Sequence, residues 1–413
     1  MRRLLTGNGA AAWGVRLAGA EYIPAFPITP QTEIIETISR WIGDGEFDAR
    51  MVTMDSEHSM ITAAGTAAAT GVRVFSATSS QGLLYAMEML YTVAGWRAPF
   101  VLVNVSRALS SPITLEPDHN DVLAARDSGF LQIHCATCQE VVDCLLLAYR
   151  LGEDERVRLP VIVNLDGYYL SFTREPVELP EEEVVRRFLP ACDLQTAPIR
   201  AGDPVSQGVA VLGGSQYSYF RYETHAADRN GLTVFKEITR EFARLTGRSY
   251  PAVEEYRAED ADIVFFMIGS FSTKAKAAID CMRAEGQRVG LVRPRLLRPF
   301  PDEDIVKALQ GKKGVAVLDQ NISFGKGGIL YAELASALYN ADGRPEVLVS
   351  FIGGLGGRDI SREEFFEMAK VTTRAAESGQ IPAPRMLYTR EELAQMHGLQ
   401  AIAAAEMNTR EEK

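Results

Sequence analysis

Residues 51–105 read MVTMDSEHSMITAAGTAAATGVRVFSATSSQGLLYAMEMLYTVAGWRAPFVLVNV, and this stretch decides the fold. Met51–Met54 is a short β-branched run, and Glu57–Thr70 is an alanine-rich helix that stops at Gly71. Val72–Ser76 reads as a strand, Ser79–Gly82 as a turn and Leu83–Ala94 as a second helix. Phe100–Val105 closes the stretch as a nearly continuous apolar run, the pattern of a strand covered on both faces. Alternation of this kind predicts an α/β unit with a mostly parallel, doubly wound sheet.

The pattern extends in both directions. Upstream, Ala10–Ala20 is helical and Tyr22–Phe26 is a short strand. Pro27-Ile-Thr-Pro30 breaks the chain, and Gln31–Trp41 follows at helical spacing with Pro30 in its first turn. Downstream, Leu159–Leu165 supplies another buried strand. Residues 176 to about 255, punctuated by Pro176, Pro180, Pro190, Pro198 and Pro204, read as a lobe or long connection in which only Val209–Leu212 looks like a strand. A second α/β unit then begins. Asp262–Ile268, Arg288–Val292, Val315–Leu318 and Glu346–Ile352 are its strands, with a turn at Gly269–Ser272 and a helix over Thr273–Glu285. From Thr389 the tail is helical, charged and either solvated or partner-facing.

Composition narrows the partners. The chain of 413 residues has a net charge of −11 and no basic stripe, which argues against nucleic acid. No stretch approaches the ~20 apolar residues of a membrane span. The N-terminus carries two arginines before small residues but lacks a clean apolar signal core. Five cysteines (Cys135, Cys138, Cys144, Cys192 and Cys281) are an odd number and too few to staple this length. A soluble, cytoplasmic protein is expected.

Generic motifs carry little. Gly7-Asn-Gly9 precedes a helix without the rest of a dinucleotide fingerprint. Gly43-Asp-Gly45 resembles the start of a Mg-diphosphate motif, but no Asn pair follows, so a helix-terminal turn is expected. Cys135-x-x-Cys138 lacks further ligands at workable spacing, and Cys144 lies among apolar neighbours, so no metal site is expected. Three other segments follow candidate strands of the first unit. Phe26–Pro30 is a rigid turn that presents Thr29. Met54–His58 places Glu57 at a strand-to-helix junction, where helix capping is the plain alternative. Ser106–Pro112 puts Arg107 directly after a buried strand, placed to clamp a carboxylate or to pair with Glu116, Asp118 or Asp121. Their convergence at strand ends favours a site.

Taken together, these segments resemble the α subunit of the pyruvate:ferredoxin oxidoreductase family, the CoA-acylating 2-oxoacid:acceptor oxidoreductases. The pieces that carry the resemblance run from about residue 3 to 375: GNGAAAWGVRLAGA, FPITPQTEIIE, MDSEHSMITAAGTAAATGVRVFSATSSQGL, SRALSSPITLEPDHNDVLAARDSGF, LPVIVNLDGYYLS, FFMIGSFSTKAKAAID, GLVRPRLLRPFP, LDQNISFGKGGILYAEL and FIGGLGGRDIS. The resemblance implies a thiamine diphosphate (ThDP) pyrimidine-binding domain over residues 1–240. It implies a transketolase C-terminal-like domain over 255–390, followed by a charged helical tail over 391–413. A β subunit would hold the diphosphate and Mg²⁺. Further γ and ferredoxin-like δ subunits would carry 4Fe-4S clusters, CoA would be a co-substrate, and ferredoxin or a flavin/NAD-linked subunit would take the electrons.

The same resemblance gives roles to single residues. Glu57 would hydrogen-bond N1′ of the aminopyrimidine and so favour the imino tautomer, Thr29 would contact substrate and cofactor, and Arg107 would pair with the substrate carboxylate. Where pyruvate-type members resemble INIW, followed by a polar residue and DH, this chain has Ile113-Thr-Leu-Glu-Pro-Asp-His119. Glu116 stands at the aromatic position and Pro117 stiffens the loop. That leaves pyruvate, branched-chain and aryl substrates such as phenylglyoxylate open. The retained Thr29 argues against a dicarboxylate. A transketolase-like or E1-β-like component shares the domain pair and the glutamate but not the Thr29 turn or the Arg107 segment. A non-catalytic scaffold would have no need of all three residues.

Overall fold

The computed structural model describes residues 1–191, 206 and 208–411. Cys192, Pro198 and Pro204 lie outside the described residues. The first unit carries strands β1 (Arg2–Thr6), β2 (Tyr22–Ala25), β3 (Arg50–Thr53), β4 (Phe75–Thr78), β5 (Val101–Ser106), β6 (Leu131–His134), β7 (Val161–Asp166) and β8 (Arg174–Glu178). Its helices are α1 (Gly7–Ala18), α2 (Thr32–Gly43), α3 (Glu57–Ala68), α4 (Ser80–Tyr85), α5 (Met87–Gly95), α6 (Asn120–Ala124), α7 (Cys138–Gly152), α8 (Glu182–Phe188) and α9 (Gly214–Thr246). Strands β4, β5, β7 and β6 are neighbours in one parallel sheet. The parallel pair β2–β3 reaches the β4 edge through a bridge between Tyr22 and Val74. Strands β1 and β8 form a separate antiparallel ribbon.

The second unit adds β9 (Val253–Tyr256), β10 (Ile263–Phe266), β11 (Val289–Pro294), β12 (Leu296–Arg298), β13 (Gly314–Asp319), β14 (Val347–Ile352) and β15 (Arg385–Met386). Helices α10 (Phe271–Ala284), α11 (Asp302–Leu309), α12 (Ile329–Leu338) and α13 (Arg362–Ser378) flank them, and α14 (Arg390–Glu411) is the tail. Its sheet runs β15-β14-β13-β10-β11-β9, parallel except for β9. Strand β12 leaves this unit and pairs antiparallel with β6 of the first. One apolar core is common to both units, with Met60, Leu90 and Val93 in the same cluster as Val264, Phe266 and Leu334.

Several local expectations shift. Strand β4 starts at Phe75 rather than Val72. Arg73 is instead drawn aside, its guanidinium bonded to Glu153 and to the Ala18 carbonyl. Ser79–Gly82 is not a free turn, because Ser80–Tyr85 is helical. Pro30 lies just before α2, whose N-cap is Gln31, and not inside its first turn. Val209–Leu212 is irregular rather than a strand, and the supposed long connection contains the 33-residue helix α9. Its burial is concentrated in the C-terminal half, through residues such as Val234, Phe235, Ile238 and Phe242.

A buried ion cluster ties the two units together. Arg293 of β11, fully buried, donates to both oxygens of Glu140 in the first turn of α7, at 2.6 and 3.1 Å, and to Glu254 at 2.6 Å. Arg295 adds a contact to Glu140 at 3.0 Å. Burial opposes ionisation of Glu140, but the two guanidiniums outweigh it and hold the carboxyl well below its usual range. A depressed carboxyl contributes stability above its ordinary value of 4.5, and that contribution is lost as the pH falls below it. Glu140→Gln is therefore expected to lower the melting temperature at pH 7 by several degrees, on the ~3–5 kcal/mol scale of a broken buried pair. Thermal unfolding across pH 3–7 should also show a shallower acid loss for the variant than for the wild type.

Candidate active site

The site assembles at the carboxyl ends of the first sheet. The turn after β2 is fixed by two amides. Gln31 Nε2 donates to the Phe26 carbonyl and buried Asn8 Nδ2 to the Pro30 carbonyl, each at 2.9 Å. Gly7-Asn-Gly9 is thus structural: Asn8 pins this turn, and a side chain on Gly7 would overlap the Leu170 carbonyl. Thr29 sits half-buried on the turn.

Glu57 is the first residue of α3. Ser56 caps that helix by accepting the Ser59 N–H at 3.2 Å, so capping does not require Glu57. Its side chain is only 6% exposed. Among the described residues nothing hydrogen-bonds its carboxylate. A helix N-terminus favours the charge, yet a nearly buried carboxylate without a partner is costly and calls for one from outside. Its Oε1 faces Gly82: a Cβ built there would lie 2.5 Å from both Glu57 Oε1 and Thr78 Oγ1. Thr78 Oγ1 and Ser79 Oγ are themselves buried without partners. Gly82→Ala should therefore displace the carboxylate. A loss of turnover of more than about tenfold is expected with a near-native melting temperature, checked by steady-state assay and thermal unfolding.

Arg107 follows β5 directly and is 7% exposed. Its guanidinium donates to the Thr29 carbonyl at 2.8 Å and to Gln81 Oε1 at 2.9 Å, while Nε has no partner. Burial pushes this guanidinium below its ordinary pKa, against the pull of Asp121, Tyr168 and Glu57. Among the described residues no carboxylate lies within ion-pair distance of it, so the alternative pairing with Glu116, Asp118 or Asp121 is not formed. Asp121 serves the backbone instead. Its Oδ2 accepts the N–H groups of Arg107 at 3.2 Å and Ser80 at 3.0 Å, and its side chain also receives Asn104 and Ser106. Desolvation raises the Asp121 carboxyl, and these donors oppose the rise.

The structure thus brings together all three expected residues. Thr29 and Arg107 bond directly, and Gln81 links Arg107 to the helix turn that abuts Glu57. Gln81 and Tyr168 complete the surroundings and were not singled out from sequence, whereas Asp121, expected as an alternative ion-pair partner of Arg107, holds its backbone N–H instead. The only local signal of Gln81 and Tyr168 is their position just after β4 and just after β7. Gly43-Asp-Gly45 is the turn that ends α2. Cys135, Cys138 and Cys144 are buried free thiols, and no group of potential metal ligands occurs among the described residues. A cleft of about 1280 Å³ among the described residues contains none of the site residues. It lies at the amino ends of the second sheet, around Asp262, Arg288 and Glu346. Ligands of such sheets bind at the opposite, carboxyl ends, so the cleft carries no functional reading.

Fold and site define an α/β enzyme component built around a nearly buried carboxylate and an arginine that, among the described residues, have no partner and no counter-ion respectively. Residues 13–240 match the family model described as pyruvate flavodoxin/ferredoxin oxidoreductase, thiamine diP-binding, and residues 261–365 match pyruvate:ferredoxin oxidoreductase core domain II. The chain is 40% identical to the pyruvate synthase subunit PorA of Pyrococcus furiosus over 93% of this chain and 96% of the relative. It is 39% identical to the ketoisovalerate oxidoreductase subunit VorA of Pyrococcus horikoshii over 92% and 96%. Its fold is similar to that of a solved 2-oxoglutarate:ferredoxin oxidoreductase from Magnetococcus marinus, with a TM-score of 0.68 at 20% identity. That match covers 92% of this chain, which spans 65% of the length of the solved chain. The chain belongs to the 2-oxoacid:ferredoxin oxidoreductase family, as its α subunit. It is an oxidoreductase component with a ThDP-binding domain. No helix among the described residues is long and apolar enough to cross a membrane.

The residues present fit an aminopyrimidine. The Glu57 carboxylate needs a donor, and Thr78 Oγ1, which faces Gly82 as the carboxylate does, is buried without a partner. Glycine at position 82 leaves the carboxylate face open.

Proposed function

We propose that this chain supplies the activating carboxylate and the substrate-binding arginine of a complex that oxidatively decarboxylates a 2-oxoacid to acyl-CoA and CO₂. Bound ThDP would supply the nucleophilic carbon and the electron sink for decarboxylation. Glu57 would hold the proton shared with N1′ of the aminopyrimidine, and Thr29 would line both cofactor and substrate. Arg107 would receive the substrate carboxylate through in-plane N–H groups of its guanidinium, whose Nε has no partner, because burial without a counter-ion among the described residues leaves its charge unsatisfied. Since that carboxylate leaves as neutral CO₂, Arg107 would serve binding and orientation rather than stabilisation of the transition state.

Residues 1–240 would act as the pyrimidine-binding domain, 255–390 as the transketolase C-terminal-like domain and 391–413 as a helical tail. A β subunit would complete the diphosphate and Mg²⁺ site. Subunits of γ and δ type would carry 4Fe-4S clusters and pass electrons to ferredoxin or to a flavin/NAD-linked acceptor, in the cytoplasm. The observation that carries this reading is the joining of Arg107, Thr29 and Glu57 in one site through Gln81 and Gly82.

For the substrate, a monocarboxylic 2-oxoacid fits best. Thr29 adds no second cation, and Arg107 is the one guanidinium found in the site among the described residues. Comparison of kcat/KM for pyruvate, 2-oxoisovalerate, phenylglyoxylate and 2-oxoglutarate in the assembled complex tests this. One of the first three should lead, and a preference for 2-oxoglutarate would overturn the monocarboxylate reading.

A further inference from the structure

In a doubly wound sheet the ligand crevice opens where strand order reverses, at the carboxyl ends of the strands. In the second unit that point lies between β10 and β13. It is filled by the chain itself. The His119 N–H donates to the Gln320 carbonyl just after β13, at 2.8 Å, and the His119 ring packs on Gly269 just after β10. Ser270, beside it, donates through N–H and hydroxyl to Asp166, whose other oxygen meets His119 Nε2 at 2.7 Å. Asn120 Oδ1 accepts the Ile322 N–H at 3.1 Å.

The donors at the start of α12, which could otherwise receive an anion, are taken as well. Asp319 accepts the Leu330 and Tyr331 N–H groups, and Asn321 accepts that of Ile329. After β14 a glycine turn closes over the same segment. Gly357 N–H donates to the Pro117 carbonyl at 2.7 Å and Gly356 N–H to Asp118 Oδ2 at 3.3 Å. Tyr169 O–H donates to the Gly357 carbonyl at 2.5 Å.

The seated segment is the one that controls Arg107. The Glu116 carbonyl accepts the Ala108 N–H at 3.0 Å, so residues 108 and 116 form the neck of the loop that follows Arg107. Beyond the seat, Asp121 holds the N–H groups of Arg107 and Ser80. We infer that the second unit uses its ligand crevice as a seat for residues 116–121, making His119 and Gly357 positioning residues for the substrate-binding Arg107. The inference rests on the reading of Arg107 given above. It assigns the second unit a task in substrate affinity.

Gly357 offers the sharpest test. Its φ is +78°, and a Cβ there would overlap the Glu116 side chain, whose atoms are its three nearest neighbours. Gly357→Ala should push the loop neck away from its seat, whereas Gly357→Ala combined with Glu116→Gly removes the overlap and leaves the same backbone strain. In the assembled complex, KM for the preferred 2-oxoacid should rise about fivefold in the single variant, with kcat and the KM for ThDP nearly unchanged, and should return in the double variant to the KM of Glu116→Gly alone. Parallel loss of kcat and melting temperature with KM unmoved, or failure of Glu116→Gly to restore KM, would overturn the inference. If Gly357→Ala does not assemble, Tyr169→Phe carries the test: a raised KM supports the seat and an unchanged KM refutes it. Arg107→Lys, measured alongside, separates the two levels. If Arg107→Lys leaves KM unmoved, the substrate reading itself fails; if KM responds to Arg107 but not to the seat, only the positioning inference fails.

Discussion

Glu57→Gln is expected to reduce kcat of the assembled complex by about 10²- to 10⁴-fold, the range of a lost acid–base group, with the 2-oxoacid KM close to wild type. The substitution is nearly isosteric and α3 keeps its Ser56 cap, so the helix should not suffer. What changes is the proton. A glutamine can still accept one hydrogen bond, but it cannot hold a proton shared with N1′ and return it. Because the Glu57 side chain is 6% exposed and without a partner among the described residues, no neighbouring carboxylate replaces it. Viologen reduction under anaerobic conditions gives kcat and KM, and a binding assay for ThDP separates lost chemistry from lost cofactor. Turnover within a factor of about three of wild type would remove Glu57 from the chemistry.

Arg107→Met should act on the other parameter. Removal of a buried, charge-assisted contact costs ~2–5 kcal/mol, so kcat/KM should fall about 30-fold or more, most of it through KM. Arg107→Lys should recover part of the loss. It keeps the charge but cannot reach the Thr29 carbonyl and Gln81 as a planar fork while meeting a carboxylate. If Arg107→Met changed kcat alone, the arginine would be acting elsewhere in the reaction. Opposite signatures for Glu57 and Arg107 are what a divided site requires.

Much of the alternation that builds both sheets was legible from sequence, because buried parallel strands are continuous apolar runs such as Phe100–Val105. Their ends were less so. Val72 and Val74 have the composition of a strand, but Arg73 is anchored to Glu153 across the fold, so pairing begins later, at Phe75. Helix α9 escaped because the first half of its sequence, including Tyr217, Tyr219 and Tyr222, is exposed and shows no apolar stripe. Strand β12, only three residues long, exists because β6 offers it an edge, which no local pattern announces.

The site shows the same division. Thr29, Glu57 and Arg107 were legible because each stands just beyond a strand, in a turn of unusual composition. Their connections were not. Gln81 lies in a polar stretch that reads as a turn, and Asp121 resembles any acidic residue opening a helix. Its role appears only when Ser80 and Arg107, 41 and 14 residues away, point their N–H groups at it.

The most direct measurement is anaerobic viologen reduction by the complex isolated through a tag on this chain, with ThDP, CoA and a 2-oxoacid supplied or withheld in turn. The account predicts reduction that requires all three and that disappears in Glu57→Gln. A cluster-loaded, intact complex that reduces viologen with no 2-oxoacid, or equally well without ThDP, would contradict it.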